Sequence, residues 1–561
     1  MELVNMTVSE CLEKRAHETP NSIFMNHGEE VFTWGCVNNV TNKVAKILIE
    51  QGIKPGDRVG ILGVNSASWI IAFLSLQKLG AVAVLINPCF KEKELIDCIK
   101  IADIKHLFYT NLCGGDSTED VMEKVRKDRE SSHVKIYNIE RTYKQWLKLV
   151  ESKLPTEREL PKQPNAHELA CVLFTSGTTN NCKGVMLSHH SIVNNAREVV
   201  KQMRWDENDR MCLAVPLFHC FGITVSLLTS IIAGMPISLI HKYKTMHVCD
   251  VIERDKCTIL NGVPSMFLAM VKNPRMQDFD LSSLKSGIIA GSPIYPHEYK
   301  EVCSKLNGMK LQTSYGLTEA SPCVSIAGYD DPIDLKAKSS GKVVSNVEVK
   351  IINLDTMEEC KRNEVGEIFV KGYSVTKGYL ASDPVVCDAV QSDGWLRTGD
   401  LAYMDEDDYL YVVGRRKNLI IRGGENISPV EIEQFIKESK RGLEVYVFGM
   451  KSEVLQEEIV ACIEHKKDEN LEIQIREYLE KNISKYKIPS YFLFIEEFPK
   501  NPTGKINEKE IRKIATEELK EEVARRNRER LEKKEKKARK IHEKMEKEKK
   551  KHKEKHHHEK H

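Results

Sequence analysis

Two kinds of hydrophobic periodicity alternate along residues 33–330 at an interval that leaves few architectures open. Residues 37–51 carry apolar side chains at helical spacing and stop at Gly52-Ile53-Lys54-Pro55-Gly56-Asp57. Residues 59–62 then read as a short strand, 67–79 as a helix and 81–86 as a β-branched strand closed by Asn87-Pro88. Strand, helix and strand repeated at this interval predict a parallel sheet with crossover helices, an α/β fold. Residues 341–412 change character: short strands between Gly, Asp and Asn turns predict a small antiparallel sheet or β-barrel-like subdomain. A second boundary falls near Gly414-Arg415-Arg416-Lys417, and an α+β pattern follows it. A chain of 561 residues is too long for one core. The expected organisation is a large N-terminal domain of stacked, mostly parallel α/β sheets (1–414), a small α+β domain (415–510) and a charged tail (511–561).

Beyond Lys509 the chain is almost pure Lys, Glu, Arg and His, with too few apolar residues to build a core. Glu–Lys pairs at helical spacing fit a solvated helix, and the composition fits disorder equally well. Residues 521–561 carry 18 Lys/Arg against 10 Asp/Glu, so the overall net charge of +2 hides a mildly acidic body and a basic tail. Nothing in the body suggests nucleic acid. The tail lacks an apolar face, so any membrane contact through it would be weak and electrostatic. The 16 cysteines are scattered without paired metal spacing and read as reduced thiols. The N-terminus lacks the apolar core of a signal peptide, and the apolar stretches at 69–76 and 225–240 are interrupted or too short to span a bilayer. These features predict a cytoplasmic protein with no transmembrane segment.

The chemistry sits where strands end. Thr175-Ser176-Gly177-Thr178-Thr179-Asn180-Asn181-Cys182-Lys183-Gly184 follows an apolar run at 169–174. Glycines let a backbone approach phosphate, hydroxyls donate, and a lysine adds charge. GxxxxGK[ST] is absent, so this is not the common nucleotide-triphosphate loop. Five further segments follow in order. Pro216-Leu217-Phe218-His219-Cys220-Phe221-Gly222 is an apolar loop holding a histidine. Ile289-Ala290-Gly291-Ser292-Pro293 leaves room for a flat ring at the strand edge where α/β sheets collect ligands. Thr313-Ser314-Tyr315-Gly316-Leu317-Thr318-Glu319-Ala320-Ser321 and Asp393-Gly394-Trp395-Leu396-Arg397-Thr398-Gly399-Asp400 each join hydroxyls to a carboxylate. Pro499-Lys500-Asn501-Pro502-Thr503-Gly504-Lys505-Ile506 presents a lysine on a glycine-containing turn. Alone, each segment is an ordinary loop, cap or solvated turn.

Together and in this order, they resemble the adenylate-forming superfamily of acyl-CoA synthetases, luciferases and peptide-synthetase adenylation domains. The resemblance covers about residues 8–510. Stretches such as 256–266 and 280–287 resemble medium-chain fatty acyl-CoA synthetases of the family-member-2 type. It implies a ligase that uses ATP, Mg²⁺ and CoA on a small carboxylic acid. Thr175, Ser176, Gly177, Thr178, Thr179 and Lys183 would cradle phosphates. Ala290, Gly291 and Ser292 would pack on adenine, Tyr315 would stack on it, and Gly316 belongs to the same turn. Thr318 would contact phosphate and Glu319 would ligate Mg²⁺. Asp400 and Arg415 would hold the ribose. His219 and Phe221 would line the acyl pocket, Lys417 would be the hinge, and Gly423 and Gly424 would border the pantetheine tunnel. Lys505 would be the catalytic lysine, acting with Thr178, Thr318 and Glu319. Two departures stand out: Asn180 replaces the family's usual Gly, and Cys182 its usual Pro. Two other readings stay open, namely an enzyme that loads a carrier protein and a nucleotide-binding relative weakened in turnover.

Overall fold

The computed structural model describes residues 1–90, 92–110, 118–151, 159–175, 183–306, 308–380, 389–422, 425–452, 456–500, 506–526, 528–529 and 532. The chain separates into two compact units, with the change at Val412/Val413.

The first unit is built on two large sheets. One has seven strands, in the order Tyr379–Leu380, Lys183–Ser188, Leu169–Thr175, Val82–Ile86, Arg58–Leu62, His106–Tyr109 and Lys135–Asn138. Its last five strands are parallel, as the strand–helix alternation predicts, and its first two are antiparallel additions. The other has nine strands, in the order Lys342–Val343, Cys323–Ile326, Lys310–Gly316, Ser286–Ile289, Ile259–Leu260, Met211–Leu213, Ile237–Leu239, Ile23–His27 and Glu30–Thr33.

The helix Ala67–Leu79 is buried at every position, which explains why its sequence is apolar all round rather than on one stripe. Ser66 Oγ caps its start by accepting the Trp69 N–H at 3.1 Å. Its single charge, Lys78, has a fully buried side chain, and its Nζ lies 2.6 Å from both Glu13 Oε1 and Asn38 Oδ1. Those partners allow an ammonium to sit in a core. The apolar stretch at 225–240 supplies a π-helix (Ile223–Leu228), a short helix (Thr229–Ala233) and a strand (Ile237–Leu239), all but Ile232 of it buried through the two helices. Among the described residues no helix is long and apolar enough to cross a membrane.

Val347–Ile352, Gly366–Gly372, Leu396–Met404 and Leu410–Arg415 form a four-stranded sheet in that order, antiparallel through the first three strands, and the last strand runs past residue 412. Of the two forms expected, an open four-stranded sheet is present.

The second unit is a five-stranded sheet whose alternating residues feed two cores. Val445, Val447, Ile459, Ala461 and Ile463 pack under the helices Pro429–Ser439 and Glu469–Asn482. Their neighbours Tyr446, Phe448, Val460 and Cys462 point the other way, as period-two alternation requires. That second face is covered by a helix over 508–526 through Ile511, Ala515 and Leu519. This corrects the expectation that residues beyond 510 build no core. The three apolar residues recur every four positions and form one narrow stripe on an otherwise charged helix. Arg512 reinforces the contact: its guanidinium lies 4.6 Å from the Phe448 ring, and its Nε donates to Tyr446 Oη at 2.8 Å. Residues 533–561 lie outside the described part.

Candidate active site

Two pairs of predicted residues, far apart in sequence, meet in the first unit, and a third predicted residue, Thr318, meets Cys220. Lys183 opens the strand Lys183–Ser188, where Thr175 is its antiparallel partner. Its ammonium donates to Glu319 Oε1 at 3.0 Å. Tyr315 donates through its hydroxyl to Asp400 Oδ2 at 2.7 Å, and both residues are buried. Cys220 Sγ lies 3.6 Å from Thr318 Oγ1. Burial pushes the Cys220 thiol up to about 11, so it is a neutral packing group.

These pairs share one segment. The strand Lys310–Gly316 delivers Tyr315 and Gly316 at its end, and the 3-10 turn Thr318–Ala320 delivers Thr318 and Glu319. Tyr315 reaches the carboxylate on the four-stranded sheet, while Glu319, four residues on, reaches the lysine after the Ser/Thr/Gly loop. Glu319 is fixed further by Tyr379, whose hydroxyl donates to Oε1 at 3.0 Å. The Tyr379 ring also lies 4.1 Å from the Lys183 ammonium, a cation–π contact. Tyr379 is absent from the residues the sequence singles out, because an aromatic residue opening a short strand looks like packing.

Asp400 is positioned by an equally unannounced residue. Glu367, buried in the strand Gly366–Gly372, accepts Arg397 Nη2 at 2.9 Å and the Gly399 N–H at 3.2 Å. Gly399 has φ +72°, a left-handed conformation that glycine adopts without a Cβ penalty. Thr398 Oγ1 completes the turn by accepting the Asp400 N–H at 3.1 Å.

The loop with His219 and Phe221 lies between the strand Met211–Leu213 and the π-helix. Asn65 holds it: Oδ1 accepts the Leu217 N–H at 2.8 Å, and Nδ2 donates to Val215 O at 3.0 Å and Ile240 O at 3.2 Å. Gly222 is needed for close approach, since a Cβ there would stand 2.0 Å from Pro216 O. His219 is exposed at the residue before the turn Cys220–Gly222, whereas Phe221 is half-buried between two cores. Ala290 follows the strand Ser286–Ile289, and Gly291 and Ser292 after it are exposed, with Gly291 at φ +90°.

Arg415 and Lys417 are exposed residues at the start of the second unit, Lys417 within the 3-10 turn Arg416–Asn418. Nearby, Arg422 pairs with buried Glu458 at 3.2 Å and donates to Ser490 Oγ at 3.0 Å. Ser176, Gly177, Thr178, Thr179, Asn180, Cys182, Gly423, Gly424 and Lys505 lie outside the described residues. Among the described residues no group of three or more His, Cys, Asp or Glu side chains forms a cage for a metal ion. Most of the described cysteines are buried.

Comparison with known proteins agrees with this geometry. Residues 12–380 match the family described as AMP-binding enzyme, and residues 431–505 match the AMP-binding enzyme C-terminal domain. The Bacillus subtilis protein YngI is 32% identical over 541 residues, covering 92% of this chain and 98% of its own. The mouse mitochondrial medium-chain acyl-CoA ligase ACSF2 is 32% identical over 546 residues, covering 92% and 89%. Among solved structures, the o-succinylbenzoate CoA synthetase of Bacillus subtilis, in complex with its acyl-adenylate intermediate, superimposes with a TM-score of 0.78 at 26% identity, covering 91% and 98%. The chain thus belongs to the AMP-binding enzyme family and is an AMP-forming acyl-CoA ligase of the adenylate-forming superfamily.

Proposed function

We propose that this ligase activates a medium-chain fatty acid in two steps. In the first, a carboxylate oxygen attacks the α-phosphorus of ATP, pyrophosphate leaves, and acyl-AMP forms. In the second, the CoA thiolate attacks the acyl carbon, and AMP departs with the oxygen it received. One observation carries the reading: a single segment, Tyr315–Glu319, reaches a buried carboxylate at one end and a lysine–carboxylate pair at the other. That is the layout a nucleotide needs, with a ribose-binding carboxylate and a phosphate-binding lysine held at the two ends of one segment.

In this reading Asp400 accepts ribose hydroxyls, Thr318 donates to phosphate, and Tyr315 with Ala290, Gly291 and Ser292 borders the adenine. Lys183 turns from Glu319 towards phosphate oxygens. Glu319 suits Mg²⁺, a hard cation that takes one or two carboxylates and completes its shell with phosphates and water. When bound, the metal neutralises charge on the phosphates. The chain's own cations, Lys183 and Lys505, stabilise charge developing at the reacting phosphate. The second unit, hinged at Lys417 and carrying Arg415, Gly423, Gly424 and Lys505, rotates between the two steps. His219 and Phe221 face the acid. The medium-chain assignment rests on the ACSF2 relative and on the resemblance of residues 256–266 and 280–287. Sixteen cysteines scattered without paired spacing, most of those described being buried, favour a reducing compartment, the cytoplasm in this reading.

The test is pyrophosphate release with ATP, Mg²⁺ and acids from acetate through octanoate to palmitate, with benzoate added, with and without CoA. Release that depends on octanoate-sized acids, with acyl-CoA accumulating only when CoA is present, is the expected result. Release with thioester formed only on a carrier-protein pantetheine would replace CoA as acceptor. Silence across the panel with ATP still bound would mark a weakened relative.

A further inference from the structure

The π-helix Ile223–Leu228 follows directly on the loop bearing His219 and Phe221. A widened turn frees backbone carbonyls from the α-helical pattern, and such turns concentrate at functional sites. Here side chains take them up. Ser226 Oγ donates to Phe221 O at 3.1 Å, and Thr229 Oγ1 donates to Val225 O at 2.8 Å. Asn261, from beyond the strand Ile259–Leu260, donates through Nδ2 to Val225 O at 3.2 Å and to Ser226 Oγ at 3.3 Å. All three side chains are buried.

The other end of the same amide points to the nucleotide side. Asn261 Oδ1 accepts the Ile288 N–H at 3.0 Å, two residues before Ala290. The backbone continues the link: Gly262 donates to Ile288 O at 3.0 Å, and Ala290 donates to Gly262 O at 3.2 Å. One planar amide therefore ties Phe221, through Ser226, to the strand end carrying Ala290-Gly291-Ser292. A buried amide is unfavourable unless its donors and acceptor are used, and packing alone would be served by an apolar residue. We propose that Asn261 is a positioning residue for the adenylation step, fixing the acid-binding loop at a set distance from the adenine edge. This rests on the proposed roles of Phe221 and Ala290.

The experiment compares KM for octanoate and for ATP in the full chain, in Asn261→Asp, in Ser226→Ala and in the double variant. Asn261→Asp keeps an acceptor for Ile288 and sets an oxygen against Val225 O. Ser226→Ala cuts the branch to Phe221 alone. The expected result is an acid KM raised about tenfold in Asn261→Asp with ATP KM changed less than about threefold. Ser226→Ala gives a smaller shift of the same kind, and the double variant is no worse than Asn261→Asp because the two act in one chain of bonds. Parallel shifts of both KM values, or an unchanged acid KM in the folded variants, overturn the inference. If Asn261→Asp fails to fold, the acid KM of Ser226→Ala decides alone. An unmodified chain inactive with every acid overturns the proposed function instead.

Discussion

Replacing Glu367 with Ala should damage both the fold and ATP binding, and the size follows from its partners. Its buried carboxylate accepts Arg397 Nη2 at 2.9 Å and the Gly399 N–H at 3.2 Å. A hydrogen bond to a charged group is worth about 1.5–3 kcal/mol. The Arg397 side chain is 32% exposed and rehydrates when abandoned, so its bond is discounted to about 1 kcal/mol. Leaving the Gly399 N–H without an acceptor accounts for most of the rest, giving a total of about 2–4 kcal/mol. Gly399 turns directly into Asp400, so the loss also loosens the proposed ribose carboxylate. Glu367→Gln keeps one acceptor and should lose about half as much. Urea unfolding followed by tryptophan fluorescence, paired with ATP KM, reads both effects. Glu367→Ala with an unchanged urea midpoint and an ATP KM within about twofold of the original would refute the reasoning.

Tyr315→Phe removes the hydroxyl on Asp400 Oδ2 and should raise ATP KM about three- to tenfold with kcat little changed, read by steady-state kinetics. Glu319→Gln should raise the Mg²⁺ concentration for half-maximal activity about tenfold or more, read by magnesium titration of the folded variant. Leu519→Asp puts a carboxylate into the core that Ile511, Ala515 and Leu519 share with the sheet and should destabilise the second unit by about 3 kcal/mol or more, read by denaturation or proteolysis of the full chain. Burial pulls the His189 imidazole down from 6.5 to about 4, and its Nδ1 accepts the Val8 N–H at 3.2 Å. Between these pH values the unfolded chain binds the proton and the folded one does not, so stability falls as pH drops from 6.5 to about 4, by up to roughly 3 kcal/mol. His189→Asn should flatten that part of the stability–pH curve.

The residues that would touch substrate were legible because they sit in polar segments where strands end, and polar residues there have little packing work to do. Lys183, Tyr315, Glu319 and Asp400 all belong to such segments, and the fold joins them in pairs. Asn65, Asn261, Glu367 and Tyr379 lie in or beside apolar runs. Their significance depends on which backbone groups lie opposite, and no local pattern records that. The helix over 508–526 was hidden differently. Averaged composition there is that of a solvated tail, and the stripe Ile511, Ala515, Leu519 matters only because Tyr446 and Phe448 leave a sheet face to cover. The π-helix had the same local composition as an ordinary buried segment, so the widened turn appears only in its hydrogen bonds.

The most direct test of the central claim follows the acid's oxygen. Octanoate labelled with ¹⁸O in both carboxylate oxygens is turned over with ATP and CoA, and the products are weighed by mass spectrometry. Attack on the α-phosphorus, followed by thiolate attack on carbon, leaves one labelled oxygen in AMP and one in the thioester. Label in phosphate or pyrophosphate, or unlabelled AMP beside a labelled thioester, would contradict an acyl-adenylate route.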